Sequence, residues 1–370
     1  MEIRTIEKLA VRPSLLGFGC MRFPTLEDKR IDEPAAKALL DRAWAAGVNY
    51  FDTAYFYHDG TSENFVGRAL ADKPRESYYL TSKLPTILIH SLDDAKRIFD
   101  EQWGRLERDY LDFYLLHNLN AARWREMVDT GVLDWCLDLQ KQGLFRRFGF
   151  SFHGDYKDFE EILTARDWDV CQIQLNYMDT EEQAGLAGYR LAEARGVPLI
   201  VMEPVKGGAL ADPPQEVREL FAAADPSASP ASWALRWAAS LPNVMTVLSG
   251  MSAMDQVEDN LATFNAFRPL DSGEQAVVAE AARRFRARVR NGCTGCRYCM
   301  PCPEGVDIPA MFKTWNEYGV YQNAARTAAK WKDLAAQVCV ACGACEAQCP
   351  QKLPIRDDLK RVRAELEGLK

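Results

Sequence analysis

Long apolar runs are missing from this chain of 370 residues. Although 48% of it is hydrophobic, no stretch approaches the roughly 20 residues that a membrane-crossing helix needs. The start, Met-Glu-Ile-Arg-Thr-Ile-Glu, lacks the basic and apolar regions of a secretory signal, so a cytoplasmic location is expected. Basic residues do not dominate either. With 45 Lys and Arg against 53 Asp and Glu, a net charge of -8 argues against nucleic acid or an anionic membrane as the main partner. No complete Gly-x-Gly-x-x-Gly follows the first apolar run; Gly17-Phe18-Gly19 is a fragment of it and reads as tight strand packing rather than a phosphate cradle. Cysteine is sparse until residue 290. Cys20, Cys136 and Cys171 stand alone on apolar segments and read as packing residues.

What is present is an alternation. From residue 15 to 250, short apolar runs take turns with longer amphipathic stretches, the pattern of strands each followed by a helix. The strands are expected at Leu15 to Gly19, Asn49 to Asp52, Tyr78 to Ser82, Leu111 to Leu116, Phe145 to Ser151, Val170 to Leu175, Pro198 to Met202 and Val244 to Ser249. Helical patterns include Glu33 to Ala46, Leu92 to Leu106, Tyr156 to Ala165, Glu181 to Arg195 and Asp255 to Phe267. Eight such units over about 250 residues predict an α/β fold, a closed eight-stranded parallel (β/α)8 TIM barrel, rather than an open doubly wound sheet. A connector helix over 271–290, with Val277, Ala281, Phe285 and Val289 on one face, stops at Asn291-Gly292. The composition then turns to cysteine and proline. This predicts a barrel domain over 1–290 and a small, mainly helical domain over 291–370, with helices near Ala310 to Tyr318 and Gln322 to Gln337.

The C-terminal ends of barrel strands are where catalytic groups collect. Here they carry Asp52, Lys83, His117, Ser151, Gln172 with Asn176, Glu203 and Ser249, and Tyr57 follows Asp52 on the next loop. A phenol has a free pKa near 10, so Tyr57 needs a cation beside it to serve as an acid at neutral pH. Lys83 suits that part, Asp52 would keep Lys83 charged and oriented, and His117 can hold a substrate oxygen. The set fits proton donation to a carbonyl oxygen as hydride arrives at carbon.

The blocks Leu16 to Arg22, Asp52-Thr53-Ala54 with Tyr57 and Ser62-Glu63, Thr81-Ser82-Lys83, Leu115-Leu116-His117, Gly149-Phe150-Ser151, Glu203-Pro204 and Ser249 to Asn260 resemble an aldo-keto reductase. The resemblance implies a catalytic tetrad of Asp52, Tyr57, Lys83 and His117 and reduction of an aldehyde or ketone, or oxidation of the matching alcohol, with NADPH or NADH. It also implies that Ser151, Gln172 and Asn260 hold the carboxamide and the adenine end, with Ser249 and Gln256 beside them. The chain departs from the family at Phe152, where Asn is common, and at Met202, where an aromatic usually stacks on nicotinamide. Gly250 and Gln256 stand where Lys and Arg often grip a 2'-phosphate, and Lys206 is a candidate phosphate contact. A flavin in the same cavity is the alternative cofactor.

Eight of the eleven cysteines fall in two runs, Cys293-x2-Cys296-x2-Cys299-x2-Cys302-Pro303 and Cys339-x2-Cys342-x2-Cys345-x3-Cys349-Pro350. Reducing compartments disfavour structural disulfides, so such clustering points to metal. The second run has cubane-binding spacing, whereas structural zinc would take two Cys-x2-Cys pairs per ion and has no need of triplets followed by proline. The tail resembles a ferredoxin with two 4Fe-4S clusters. That resemblance implies crossed ligation: Cys293, Cys296, Cys299 and Cys349 for one cluster, and Cys339, Cys342, Cys345 and Cys302 for the other. The first run has only Met300-Pro301 where three residues are usual before its last cysteine. The combination implies an oxidoreductase of small carbonyls or alcohols with an electron-transfer partner. Its alternative is an electron-transfer protein, or a flavin-dependent reductase whose barrel uses no nicotinamide nucleotide.

Overall fold

The computed structural model of the protein describes residues 1–369. The chain divides into two compact units, residues 1–207 with 231–271, and residues 208–230 with 272 onward. The first unit is a closed barrel of eight parallel strands in chain order. They are β1 (Leu16–Gly19), β2 (Tyr50–Asp52), β3 (Tyr79–Pro85), β4 (Leu111–Leu119), β5 (Phe145–Phe152), β6 (Val170–Gln174), β7 (Leu199–Met202) and β8 (Val244–Ser249), with β8 pairing back onto β1. Between them run α1 (Glu33–Ala45), α2 (Ser62–Ala69), α3 (Leu92–Leu106), α4 (Ala121–Asp129), α5 (Val132–Lys141), α6 (Tyr156–Thr164) and α7 (Gly185–Ala194). All eight expected strands are present.

The strands read as near-continuous apolar runs because both faces are covered. Alternate residues point inward. Tyr50, Phe113, Leu115, Val170, Ile200, Met245 and Leu248 fill the barrel's inside with Leu9 and Val11 from the N-terminal segment. Phe51, Leu80, Tyr114, Leu116 and Phe150 join the larger core that includes the helices. Gly149 permits a close approach of β5 and β6, since a Cβ there would clash with the Val170 carbonyl.

Several expectations on element limits change. The apolar runs end at Ser82 and Leu116, but backbone pairing continues through Lys83–Leu115, Leu84–Leu116 and Pro85–His117. Lys83 and His117 therefore sit inside strands rather than beyond them. The helix expected from Glu181 begins only at Gly185, whose left-handed backbone (φ 53°) and the bond from Leu186 N–H to the Thr180 carbonyl at 2.7 Å turn the preceding residues away from a helix.

After β7 come α8 (Gln215–Ala224) and α9 (Pro230–Ala239), and after β8 come α10 (Met254–Asn265) and α11 (Ser272–Ala287). The second unit contains α8, α11 and the cysteine-rich segment with α12 (Ile308–Tyr321), α13 (Ala324–Leu334), α14 (Ala344–Ala347) and α15 (Ile355–Leu366). Arg284 of α11 donates to the Glu216 carbonyl of α8, and Arg288, just past the end of α11, donates to the Glu216 carboxylate. Because α11 ends at Ala287, its buried face is Val278, Ala281, Ala282 and Phe285, and Val289, expected on that face, is exposed. Val306, Ile308, Phe312, Trp315, Ile355 and Val362 form a separate small core, against which cysteines of both runs pack. Helix α12 runs on to Tyr321, three residues past the expected end, and stops where Gln322 adopts φ 53°.

Candidate active site and cysteine cavities

Strand register places three polar groups at successive heights on the inner wall. Asp52 pairs with Thr81; Lys83 lies two residues beyond Thr81 on the same face and pairs with Leu115, and His117 lies two beyond that. The Lys83 ammonium is 2.5 Å from Asp52 Oδ1, 2.8 Å from the Thr53 carbonyl and 3.3 Å from the Tyr57 hydroxyl. Those three acceptors use all three of its N–H groups. Asp52 and Lys83 are each 1% exposed. Tyr57 is carried in by the loop between β2 and α2, where His58 and Asp59 both have positive φ, and its ring stands edge-on to His117 at 6.1 Å.

Burial pushes the Asp52 carboxyl up from its ordinary value, with Lys83 pulling it back down. Burial works against the charged form of Lys83 too, but Asp52 and Tyr57 together outweigh it and the ammonium is held on. The Tyr57 hydroxyl is raised by burial, and Lys83 offsets only part of that rise. The sequence suggests a phenol simply lowered by its cation; in the fold, the cation keeps a buried phenol from rising further. Burial first, and Lys83 second, lower His117 to about 3, so its imidazole is neutral at physiological pH. Its Nδ1 is buried with no hydrogen-bond partner. A neutral ring with the proton on Nε2 wastes no donor on that side and keeps one for a substrate oxygen.

Behind these four residues lies a polar network that sequence reading did not find. Glu63 of α2, fully buried, accepts from Ser82 Oγ at 2.5 Å, Gln102 Nε2 at 2.6 Å and Arg105 at 3.3 Å. Gln102 also donates to the Lys83 carbonyl at 3.1 Å and accepts from the Tyr114 hydroxyl at 2.6 Å. The network joins α2 and α3 to the strand that carries the lysine. Its one legible signal is the Ser62-Glu63 pair just after Tyr57.

Further round the barrel, Ser151 and Gln172 face each other in register on β5 and β6. Ser151 Oγ accepts from Asn118 N–H at 2.9 Å, while the buried Gln172 Oε1 has no partner. Ser249 Oγ accepts from Asn260 Nδ2 at 2.9 Å, and the exposed Gln256 accepts from Ser252 N–H at 2.8 Å. Lys206 is not free for a phosphate. Its ammonium is 2.5 Å from Asp179, which is 2% exposed and also accepts from Gln174 and Asn176. Phe152 is fully buried in the core and Met202 is half-buried at the end of β7.

In the second unit the cysteines fall into two cavities. One, about 350 Å³, is lined by Cys299, Cys302, Cys339, Cys342 and Cys345; a smaller one is lined by Cys293, Cys296, Cys349 and again Cys299. Asn291, buried, fixes the start of the first run by accepting from Cys293 N–H at 2.8 Å and donating to Asp358 at 2.6 Å.

A closed parallel barrel with titratable groups converging at its C-terminal rim is the architecture of TIM-barrel enzymes. Residues 15–283 match the model of the aldo/keto reductase family, and the chain belongs to that family of oxidoreductases. Residues 292–353 match the 4Fe-4S dicluster domain. L-galactose dehydrogenase of Arabidopsis thaliana is 23% identical over 298 residues, 75% of this chain and 92% of that one. Pyridoxal 4-dehydrogenase of Microbacterium luteolum is 22% identical over 57% of this chain and 73% of its own. The holo form of aldo-keto reductase AKR11C1 from Bacillus halodurans superposes with a TM-score of 0.65 at 25% identity, covering 76% of this chain and 96% of that one. An aldo-keto reductase from Klebsiella pneumoniae in complex with NADPH shares the fold, at 21% identity, 76% and 95% coverage and a TM-score of 0.62. Among the described residues, no helix is long and apolar enough to cross a membrane.

Proposed function

We propose that the barrel reduces the carbonyl of a small aldehyde or ketone, or oxidises the matching alcohol, with Tyr57 as general acid or base. The observation that carries this reading is the Lys83 ammonium, shared between Asp52 at 2.5 Å and the Tyr57 hydroxyl at 3.3 Å in a buried site. In the reductive direction Tyr57 gives its proton to the carbonyl oxygen as the carbon gains hydride. Lys83 limits the cost of the phenolate left behind, Asp52 holds Lys83, and neutral His117 donates a hydrogen bond that orients the oxygen. Proton transfer by His117 is unfavourable, because a ring lowered to about 3 is not an imidazolium at neutral pH and its remaining N–H is a far weaker acid.

A nicotinamide dinucleotide would supply the hydride. The residues present suit its carboxamide: the orphaned Gln172 Oε1 is an acceptor waiting for an amide N–H, with Ser151 beside it as donor. Ser249, Gln256 and Asn260 would receive the adenine end, whereas Lys206, committed to Asp179, would not.

The eight tail cysteines would hold two 4Fe-4S clusters, which supply one-electron transfer. Support comes from the donor set of each cavity. Cys293, Cys296, Cys299 and Cys349 line one and Cys302 joins Cys339, Cys342 and Cys345 in the other, with Cys299 lining both, so each run contributes its last cysteine to the other's cavity. The test is anaerobic purification followed by iron, sulfide, flavin and nucleotide analysis of one sample, then turnover of an aldehyde and ketone panel with NADH and NADPH. Eight irons per chain and nucleotide-dependent reduction are expected. Turnover that needs flavin and ignores both nucleotides would replace this reading.

A further inference from the structure

Ser62 and Glu63, which open α2, are both fully buried, and between them they touch the surroundings of the phenol and of the ammonium. Ser62 serves the phenol. Its N–H donates to the Tyr57 carbonyl at 3.2 Å, and its Oγ lies 2.9 Å from Thr53 Oγ1, on the residue whose carbonyl takes one N–H of Lys83. Glu63 serves the ammonium. Its Oε1 accepts from Ser82, the residue before Lys83, and from Gln102, whose Nε2 also donates to the Lys83 carbonyl at 3.1 Å. Its Oε2 accepts from Arg105, which reaches back to the Tyr57 loop by donating to the Tyr55 carbonyl at 3.3 Å and lying 4.2 Å over the Tyr55 ring. The bond from Lys83 to the Tyr57 hydroxyl, at 3.3 Å, is the longest of the three that the ammonium makes, and so the one most easily stretched. Its length depends on how α2 stands against β3.

We propose that Glu63 is a positioning residue for the reaction proposed above, on which this inference rests: its carboxylate braces α2 against β3 and keeps Tyr57 and Lys83 within hydrogen-bond reach. The groups around it are all donors, a hydroxyl, an amide N–H and a guanidinium N–H, and Tyr114, donating to Gln102 Oε1 at 2.6 Å, turns the Gln102 amide N–H toward Glu63. An ionised carboxylate, which only accepts, satisfies all three. Burial raises Glu63 from its ordinary value, and Ser82, Gln102 and Arg105 pull it back. A glutamine in its place sets its own N–H groups against one of those donors, although its size is nearly the same. Gly67 keeps the brace stiff, because a Cβ there would meet the Leu106 carbonyl at 2.6 Å and α2 lies directly on the end of α3. With the carboxylate gone, loop and strand part, and the phenol loses the cation that eases release of its proton.

The test is steady-state reduction across pH by the anaerobically purified full chain, with an aldehyde or ketone and a nucleotide that the unaltered protein turns over. Glu63→Gln should lower kcat about tenfold to a hundredfold, the scale of a small misplacement at a reacting centre, while both KM values stay roughly unchanged. Its pH profile should move alkaline, because the displaced phenol holds its proton more tightly. Ser82→Ala, which removes one donor from the carboxylate, should do the same by a smaller factor, and it decides alone, by its profile, if Glu63→Gln fails to fold. In a Tyr57→Phe background, Glu63→Gln should cost nothing further, since no phenol is left to place. A merely structural role gives a lower denaturation midpoint with kcat per folded molecule and pH profile unmoved, or an equal loss with and without Tyr57. Either result overturns the inference. If the unaltered protein reduces no carbonyl, the functional reading falls and takes this positioning role with it.

Discussion

At the scale of single residues, the proposed function rests on Tyr57, Lys83 and His117. Tyr57→Phe should cost ~10² to 10⁴ in carbonyl reduction, the usual contribution of a general acid, while circular dichroism and iron content stay unchanged. Retention of half the wild-type turnover would remove Tyr57 from the chemistry. Lys83→Met acts on that phenol. Burial already raises the Tyr57 hydroxyl and Lys83 holds it back, so losing the cation raises it further. Reduction needs the protonated phenol, and its pH profile should shift alkaline as the rate falls; an unmoved profile would show that Lys83 does not tune the acid. The same change strands a buried carboxylate, which typically costs ~3–5 kcal/mol of stability. Adding Asp52→Asn to Lys83→Met should recover part of that loss in a denaturation midpoint. His117 falls from an ordinary 6.5 to about 3 on folding, so the native state disfavours its protonation. Its contribution to stability is complete above pH 6.5 and lost as pH falls toward 3. The His117 ring resonances should therefore stay flat from pH 8 to 5 in the native protein while the unfolded chain titrates near 6.5.

At the scale of elements, the strands were legible because a barrel strand is apolar on both faces and its polar end residue stands out. Asp52 and Tyr57, and the ends near Lys83 and His117, followed from that contrast. The limits of β3 and β4 did not, since pairing continues through Lys83 and His117 after the apolar signal stops. Nor could periodicity reveal that the Thr53 carbonyl takes one N–H of Lys83, or that Glu63 and Gln102 meet behind it. Those contacts depend on how α2 and α3 lie on β3, which is a matter of packing rather than spacing. The connector helix shows the reverse error: its apolar pattern ran past Ala287, where the helix ends, and enrolled an exposed valine. In the tail the cysteine spacing was read directly. By the two-cluster ligand count the protein should carry about eight irons, and Cys349→Ala should damage the cluster shared with Cys293, Cys296 and Cys299, seen as loss of one of two electron paramagnetic resonance signals in the reduced state. Loss of the other signal would mean that each run serves its own cluster.

At the scale of the whole molecule, the proposed function would put a two-electron chemistry and a one-electron chemistry on one chain. Hydride moves electrons as a pair, whereas each cluster passes them singly. A flavin, a substrate radical or an external protein has to divide the pair, and the tail should communicate with the barrel through one of these. Adding reduced nucleotide and then substrate to the anaerobic protein, with and without flavin, should bleach or restore the visible cluster absorbance in at least one combination. Turnover with absorbance constant throughout would make the tail an accessory. The two units also alternate along the chain, the second beginning at residue 208, yielding to the first at 231 and resuming at 272. On the ribosome, α8 emerges before β8 exists, so Val217 and Phe221, buried at maturity, wait for α11 while the barrel waits for its last strand. β1 must pair with β8 across that unfinished insert, joining Leu16 to Val247. The two units are thus interleaved along the chain, and a recombination that exchanges only the cysteine-rich end leaves α8 behind.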